Sequence, residues 1–383
     1  MDSEQKLKQA AIELYQYMLK AHWNDQVVIG PDPGIRYNAR IGRFIKGYLH
    51  FIPWNDNLVY AQAQKYWIFN NWMMIDLNLA DNEKCRETAK ACTDYLLSAQ
   101  TPDGYWEYPN LEWKNRIATV EGDYAAMGLL ESFYRIGDER YLVAAKKWYD
   151  FAVNRIGFQK KNGMLAINYF YDKGTSMVPN NSASTLCMFA MLMKATDDKT
   201  YLETCEGMVN WLIDVQLDSG ELPYAVASPE CSDKRDRVHF LCYQYNAFQF
   251  LNLAKYHNLT KDNAIWPVLE KLAKFISRSV TPTGAVWYDC YHELPDVAYY
   301  STAVGAALSL ATDLDIGDYR SVSDLTFERM ISLLSPEKGL KFHSKANYGI
   351  LRDNRSYPRY LSMILNHILL RVKCSYDVME LTK

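Results

Sequence analysis

The sequence predicts an all-α fold in which six helical hairpins pack side by side and close into a ring, with short β segments in the loops. Three observations carry this. A glycine followed by aromatic or apolar residues recurs at Gly104, Gly163, Gly220, Gly284 and Gly339, at intervals of 55 to 64 residues. Each copy is preceded by an amphipathic helical stretch and followed by a β-like segment, a loop of variable length and a second, more apolar helix. No Ser/Gly-rich, Pro-rich or single-charge run interrupts the pattern, so residues 1–383 are expected to form one domain. A period near sixty is too long for most helical repeats but suits one hairpin plus a working loop. A single hairpin cannot bury its apolar face, so hairpins stack, and an N-terminal sixth pair closes the array around a central cavity.

The elements follow in order. Helix 1 is expected over Ser3–His22, with a stripe of Leu7, Ala11, Leu14, Tyr15 and Met18. After a long loop comes a helix over Leu58–Leu79 that is apolar nearly all round, the pattern of a buried helix. The remaining pairs are 83–99 with 121–136, 139–155 with 182–195, 199–216 with 240–257, 262–279 with 297–313, and 319–334 with 357–373. Asp81, Asp138, the pair Asp197-Asp198, and Asp262 mark helix starts for the first members. The second members are rich in small and apolar residues (YAAMGLL, SASTLCMFAMLM, STAVGAALSLA) and are assigned to an inner layer. Loops entering the inner helices are long and the returns are short. Function is therefore placed on the long-loop side, where free N–H groups and partial positive charge of the inner helices face the cavity.

Composition narrows the classes. Hydrophobic residues make up 49% and aromatic residues 14% of the chain, enough for a large core. The net charge of −3 argues against a general nucleic-acid binder. No run of 18 apolar residues exists, so no membrane partner is expected. The N-terminal stretch is charged and amphipathic and lacks the apolar core of a signal peptide, so a cytoplasmic location is expected. The eight cysteines form no CxxC pair and read as reduced, buried thiols, with no metal and no cofactor expected. The 29 tyrosines and 10 tryptophans exceed the needs of a core, and many follow the repeat glycines.

The segment LLSAQTPDGYWEYP is similar to the Q-x-x-DG-x-W repeat of the cyclase branch of the α/α-toroid superfolds, and WLIDVQLDSGELPY matches it more weakly; six-hairpin sugar enzymes carry similar Q-x-x-x-G-aromatic turns. The chain as a whole resembles the (α/α)6 toroids. One branch comprises six-hairpin glycosidases, polysaccharide lyases and sugar epimerases. The other comprises terpenoid cyclases and prenyltransferase β subunits. The second branch implies further motifs. The D-x-D-D acid and a properly continued D-D-x-x-D/E are absent. For a zinc set of the prenyltransferase kind, Asp289, Cys290 and His343 follow the right order with the wrong Asp–Cys spacing.

Five polar clusters fall at the long-loop side. The first holds Asp32, Arg36, Asn38, Arg40, Arg43, Lys46, His50 and Asp56; its arginines share a face if that segment is helical. The second is Trp106, Glu107, Tyr108, Trp113, Arg116, Glu121, Asp123 and Tyr124, offering Asp123 or Glu121 as a carboxylate beside an aromatic platform; the competing reading is a helix N-cap. The third is Arg235, Arg237, His239, Tyr243, Gln244, Tyr245 and Asn246, in which His239 and Tyr245 suit proton removal in elimination or epimerisation. The fourth is Trp287, Tyr288, Asp289, His292, Glu293, Asp296, Tyr299 and Tyr300. The fifth includes His343, Arg352, Arg355, Tyr357, Arg359 and Tyr360.

Asp296 is expected to occupy in its repeat the place of Asp123, so that the two face each other across the cavity as a hydrolytic pair. Arg36, Arg40, Arg43, Arg116, Arg237, Arg355 and Arg359, interleaved with aromatics such as Trp106 and Trp287, suit a sugar carried with carboxylates. The sequence therefore points to a carbohydrate-active enzyme on an acidic, uronate-type oligo- or polysaccharide, by hydrolysis (Asp123, Asp296) or by elimination or epimerisation (His239, Tyr245). A cyclase- or prenyltransferase-like enzyme and a non-catalytic binding ring are the alternatives.

Overall fold

The computed structural model describes residues 3–33, 42–49, 51–52, 54, 56–110, 113, 116–172, 174–228, 235–341 and 355–373. Its helices are α1 Ser3–Ala21, α2 Arg43–Tyr48, α3 Ala61–Asp76, α4 Asn82–Ala99, α5 Thr119–Ile136, α6 Glu139–Phe151, α7 Pro179–Thr196, α8 Cys205–Val215, α9 Cys242–Thr260, α10 Trp266–Ser277, α11 Ala298–Asp313, α12 Arg320–Leu333 and α13 Pro358–Val372. Helices α3, α5, α7, α9, α11 and α13 each pack on the next, and α13 packs back on α3, which closes the inner ring. Helices α1, α4, α6, α8, α10 and α12 lie outside it. The fold is the six-hairpin (α/α)6 toroid.

The two layers differ as their sequences require. Outer helix α6 buries Tyr141, Leu142, Ala144, Ala145, Trp148 and Phe151, one stripe at three-to-four spacing. Inner helix α7 is buried on every side from Asn181 to Met193, and α11 from Ala298 to Ala311. The caps divide in the same way. Asp81 accepts from the Lys84 N–H at 2.8 Å and Asp138 from the Arg140 N–H at 3.0 Å. Asp198 and Asp262 cap the 3-10 turns that lead into α8 and α10. The inner helices start at Tyr60, Ala118, Val178, Leu241, Val297 and Tyr357, and none of these side chains caps its own helix. Their first N–H groups are left for neighbours or a ligand.

The recurring glycine has a packing cause. Gly104 and Gly220 sit at φ +96° and +97°, and a Cβ there would stand 2.8 Å from the Lys147 carbonyl and 2.3 Å from the Lys271 carbonyl of the next outer helix. Four residues earlier, Gln100 donates to the carbonyls of Gly104 (3.0 Å) and Ala144 (2.9 Å). Gln216 donates to those of Gly220 (3.0 Å) and Val268 (3.1 Å). The Gln-to-Gly unit thus straps each turn to the following hairpin. Gly163 is different: with Asn162 it closes a hairpin of β1 Phe158–Lys161 and β2 Met164–Ile167, both turn residues at positive φ. In the first loop, α2 carries Arg43; Arg36, Asn38, Arg40 and His50 lie outside the described residues.

Candidate active site

At the long-loop end of the ring axis, the second to fourth residues of five of the inner helices converge. Gln62 of α3, Glu121 of α5, Asn180 of α7, Gln244 and Tyr245 of α9, and Arg359 and Tyr360 of α13 line one cavity of about 120 Å³. Tyr60, Tyr108, Tyr124, Tyr169 and Phe248 complete its wall. Asn180 Oδ1 and Gln244 Oε1 are buried and have no partner, although each can accept a hydrogen bond.

Glu121 is the titratable centre of this wall. It is 3% exposed, and its Oε1 accepts from the Ala61 N–H at 2.6 Å, supplying the first turn of α3 with the partner its own cap omits. Burial pushes the carboxyl up to about 7; the Ala61 N–H and the Arg359 charge oppose that rise, and Asp32 adds to it. Arg359 is fixed on both sides. Its Nε and Nη2 donate to Asp32 at 2.6 and 3.0 Å, and Nη1 donates to Gln62 at 3.0 Å. Its guanidinium lies 4.6 Å from the Tyr60 ring centre and 4.7 Å from that of Tyr360. Burial holds the phenols of Tyr60, Tyr124, Tyr169 and Tyr245 above their ordinary range, so they are neutral donors at physiological pH.

Several assigned residues lie elsewhere. Asp123 is the fifth residue of α5, fully buried, and does not cap it. It accepts from Trp148 Nε1 (3.0 Å), Ser184 Oγ (2.7 Å) and Thr185 Oγ1 (2.8 Å), which ties α5 to α6 and α7. Burial raises its carboxyl to about 6, opposed by those three donors. Asp296 lies two residues before α11 and pairs with Arg329 of α12. The two acids are not equivalent in their repeats, and neither lines the cavity, so they do not form a facing pair. Trp106 is a core residue whose indole donates to the Leu96 carbonyl at 2.8 Å. Trp287 packs against the core.

Tyr245 lines the cavity, whereas His239 does not join it. The His239 Nδ1 meets Glu221 Oε2 at 2.8 Å, in a group with Cys242 and Cys290. Of the arginines, Arg359 alone is at the cavity wall among the described residues. Arg355 pairs with Asp56 at 2.9 Å, Arg116 stacks on Trp113 and Phe170, and Arg43 lies over Phe44. Arg237 occupies the loop into α9 at φ +48°. Asp289 accepts from the N–H groups of Tyr291 and His292 and pairs with the His292 ring; His343, the third member of that zinc set, lies outside the described residues. Gln62, Tyr169 and Asn180 were not singled out from sequence. Aligning the inner helices on their first residue would have found Gln62 and Asn180.

A second cavity of about 120 Å³ lies toward the short-loop end, lined by Lys65, Tyr66, Glu131, Arg135, Lys255, His367 and Lys373 among others. Phe248 lines both cavities, and Tyr66, Tyr124 and His367 pack around the division. Burial, then Lys255, pulls Lys65 down to about 7.

No family profile and no curated protein sequence matches the chain. Solved structures do. A cellobiose 2-epimerase from Spirochaeta thermophila superposes with a TM-score of 0.69 at 12% identity, over 97% of each chain. A polysaccharide lyase superposes at 0.66 and 12% identity, over 97% of this chain and 98% of that one. A family 76 glycoside hydrolase (mannosidase) from Bacteroides thetaiotaomicron does so at 0.66 and 11%, over 96% and 98%. At such identities the likeness establishes the shared (α/α)6 ring.

Proposed function

We propose that the long-loop cavity binds a saccharide and that Glu121 exchanges a proton with it as general acid and base. The observation that carries this is a buried carboxyl poised at about 7 in a cavity whose other polar groups are neutral phenols, amides and one fixed arginine. Unpartnered amide oxygens at Asn180 and Gln244 suit sugar hydroxyls, and the tyrosine rings suit sugar faces. A prenyl chain would leave those oxygens unsatisfied. Solved structures of this fold carry the names of an epimerase, a lyase and a hydrolase, which supports carbohydrate chemistry.

The finer assignment is to an acidic saccharide. Arg359 and Asp32 cancel, so a protonated Glu121 leaves the wall neutral, and the uncapped inner-helix N-termini favour an anion there. A uronate would raise Glu121 further and keep its proton in place for transfer. Glycoside protonation fits this site better than elimination, because among the described residues lining the cavity only Glu121 titrates near neutrality. The test is binding of uronic-acid and neutral oligosaccharides, by calorimetry, at pH 6 and pH 8. Uronate binding that takes up a proton and weakens as pH rises supports the proposal. Equal, pH-independent binding of neutral sugars overturns the acidic assignment, and no binding by either class overturns the saccharide reading.

A further inference from the structure

Beside the axial cavity, four side chains with metal-ligand chemistry meet where two neighbouring hairpins join. Glu221 follows the turn glycine Gly220, His239 lies in the loop entering α9, Cys242 opens α9, and Cys290 lies in the loop after Gly284. One ligand atom from each lies within 4.8 Å of the others. Glu221 and Cys242 are each 1% exposed. The Cys290 Sγ is 3.4 Å from Glu221 Oε2, where it donates, and 3.8 Å from His239 Nδ1. The second carboxylate oxygen, Glu221 Oε1, is buried and has no partner.

The buried Glu221 oxygen with no donor is unfavourable without a cation. A divalent ion supplies the missing partner, since it binds thiolate, imidazole and carboxylate together and displaces thiol protons to solvent.

We propose that Glu221, His239, Cys242 and Cys290 form a tetrahedral zinc site. Two sulfurs, one imidazole and one carboxylate select zinc over magnesium or calcium, which take oxygen ligands. Bonds of about 2.0–2.3 Å place tetrahedral ligands about 3.3–3.8 Å apart, so the set needs only a modest contraction. Four protein ligands close the coordination shell, which makes the ion a structural clamp. It ties the Gly220 turn and the Gly284 loop to the start of α9, whose next residues, Gln244 and Tyr245, reach the cavity. The partly exposed His239 and Cys290 give the ion its entry path.

The experiment uses the full chain, purified in reducing buffer without chelator. Elemental analysis is expected to find one equivalent of zinc that survives dialysis and is released by a mercurial thiol reagent. Reloading the stripped protein with zinc is expected to raise its melting temperature, and cobalt in place of zinc to give thiolate charge-transfer bands in the near ultraviolet. His239→Ala and Cys290→Ser are expected to lose the stoichiometric metal, while His292→Ala, outside the cluster, keeps it. If the cluster variants fail to fold, the cobalt spectrum of the parent protein decides. Absence of retained zinc together with no thermal shift and no cobalt–thiolate bands overturns the site. So does a Cys242–Cys290 disulfide found in the reduced preparation.

Discussion

Replacing Glu121 with glutamine separates the chemistry of this carboxyl from its cost. Glutamine keeps an oxygen to accept the Ala61 N–H but carries no charge. The carboxyl rises from 4.5 to about 7 on folding, so between those values the folded chain holds a proton that the unfolded chain releases. Stability of the parent protein therefore falls as pH rises through this window and levels off above it. At 1.36 kcal/mol per pH unit the full cost is about 3 kcal/mol. A chain of 383 residues unfolds with an entropy of about 0.8 kcal/mol/K, so Glu121→Gln should melt about 4 °C above the parent at pH 8. At pH 5, where the parent is protonated, the two should nearly coincide. The assay is scanning calorimetry of both proteins at half-unit steps from pH 5 to 8, paired with turnover on whichever saccharide binds. Loss of about 10²-fold or more in kcat is expected alongside the gain in stability. A melting difference that stays constant across this range would refute the raised carboxyl. The predicted stability with unchanged kcat would remove Glu121 from the chemistry.

Asp123→Asn keeps one oxygen but sets an amide NH2 against either the Trp148 indole or the Ser184 and Thr185 hydroxyls, so it should cost about 2–4 kcal/mol in urea unfolding while the folded fraction keeps its kcat. Tyr245→Phe removes one neutral donor from the cavity wall; kcat/KM should fall about tenfold, with the melting temperature near the parent's. Gly220→Ala drives a Cβ into the Lys271 carbonyl at a positive φ and should destabilise by about 3 kcal/mol or more, read by thermal unfolding. Lys65, held down to about 7, resists a proton that the unfolded chain accepts up to its ordinary value. Lys65→Met should therefore gain most in melting temperature at pH 6–7 and lose that gain toward pH 10, a slope opposite in sign to that of Glu121→Gln.

The ring was legible because its causes are local. Helical periodicity, aspartate caps at the short returns and the turn glycines are each read within a few residues, and Asp81, Asp138 and Asp262 cap as expected. The contacts that decide the site are not local. Arg359 and Asp32 are 327 residues apart in sequence, and Arg355 and Asp56 are 299 apart. Counting arginines toward a substrate carboxylate could not reveal that the chain supplies its own. Asp123 and Glu121 illustrate the same limit at short range: two residues apart on α5, they point to different layers, one into a knot of hydroxyls and an indole, the other into the cavity. Only the position of the helix start, at Thr119, distinguishes them. The polar set at the entry to α9 points in sequence to His239 and Tyr245 acting together in proton removal, yet the His239 ring is turned toward Glu221, on a turn 18 residues earlier.

The two cavities on the axis share Phe248 but face opposite ends of the inner-helix dipoles, and that asymmetry accounts for their contents. The long-loop end gathers uncapped N–H groups, so it tolerates a carboxylate (Glu121) and favours an anionic guest. The other end gathers helix C-termini, whose partial negative charge attracts cations, and Arg135 in the last turn of α5 and Lys373 at the end of α13 both reach Asp76 there. Lys65 is the exception, since it belongs to the second turn of α3 and projects onto the rings of Tyr66 and Phe69, 3.9 and 4.6 Å from their centres. Among the described residues it forms no ion pair, with Glu131 in the same cavity favouring its charged form, and its ammonium lies 5.8 Å from the ring centre of Tyr124, which lines the cavity that holds Glu121. A positive charge below the floor favours the ionised carboxyl above it. Losing that charge should move the alkaline limb of the rate profile, where Glu121 gives up the proton it donates, to higher pH, so Lys65→Met tests whether the two ends of the barrel are electrostatically coupled.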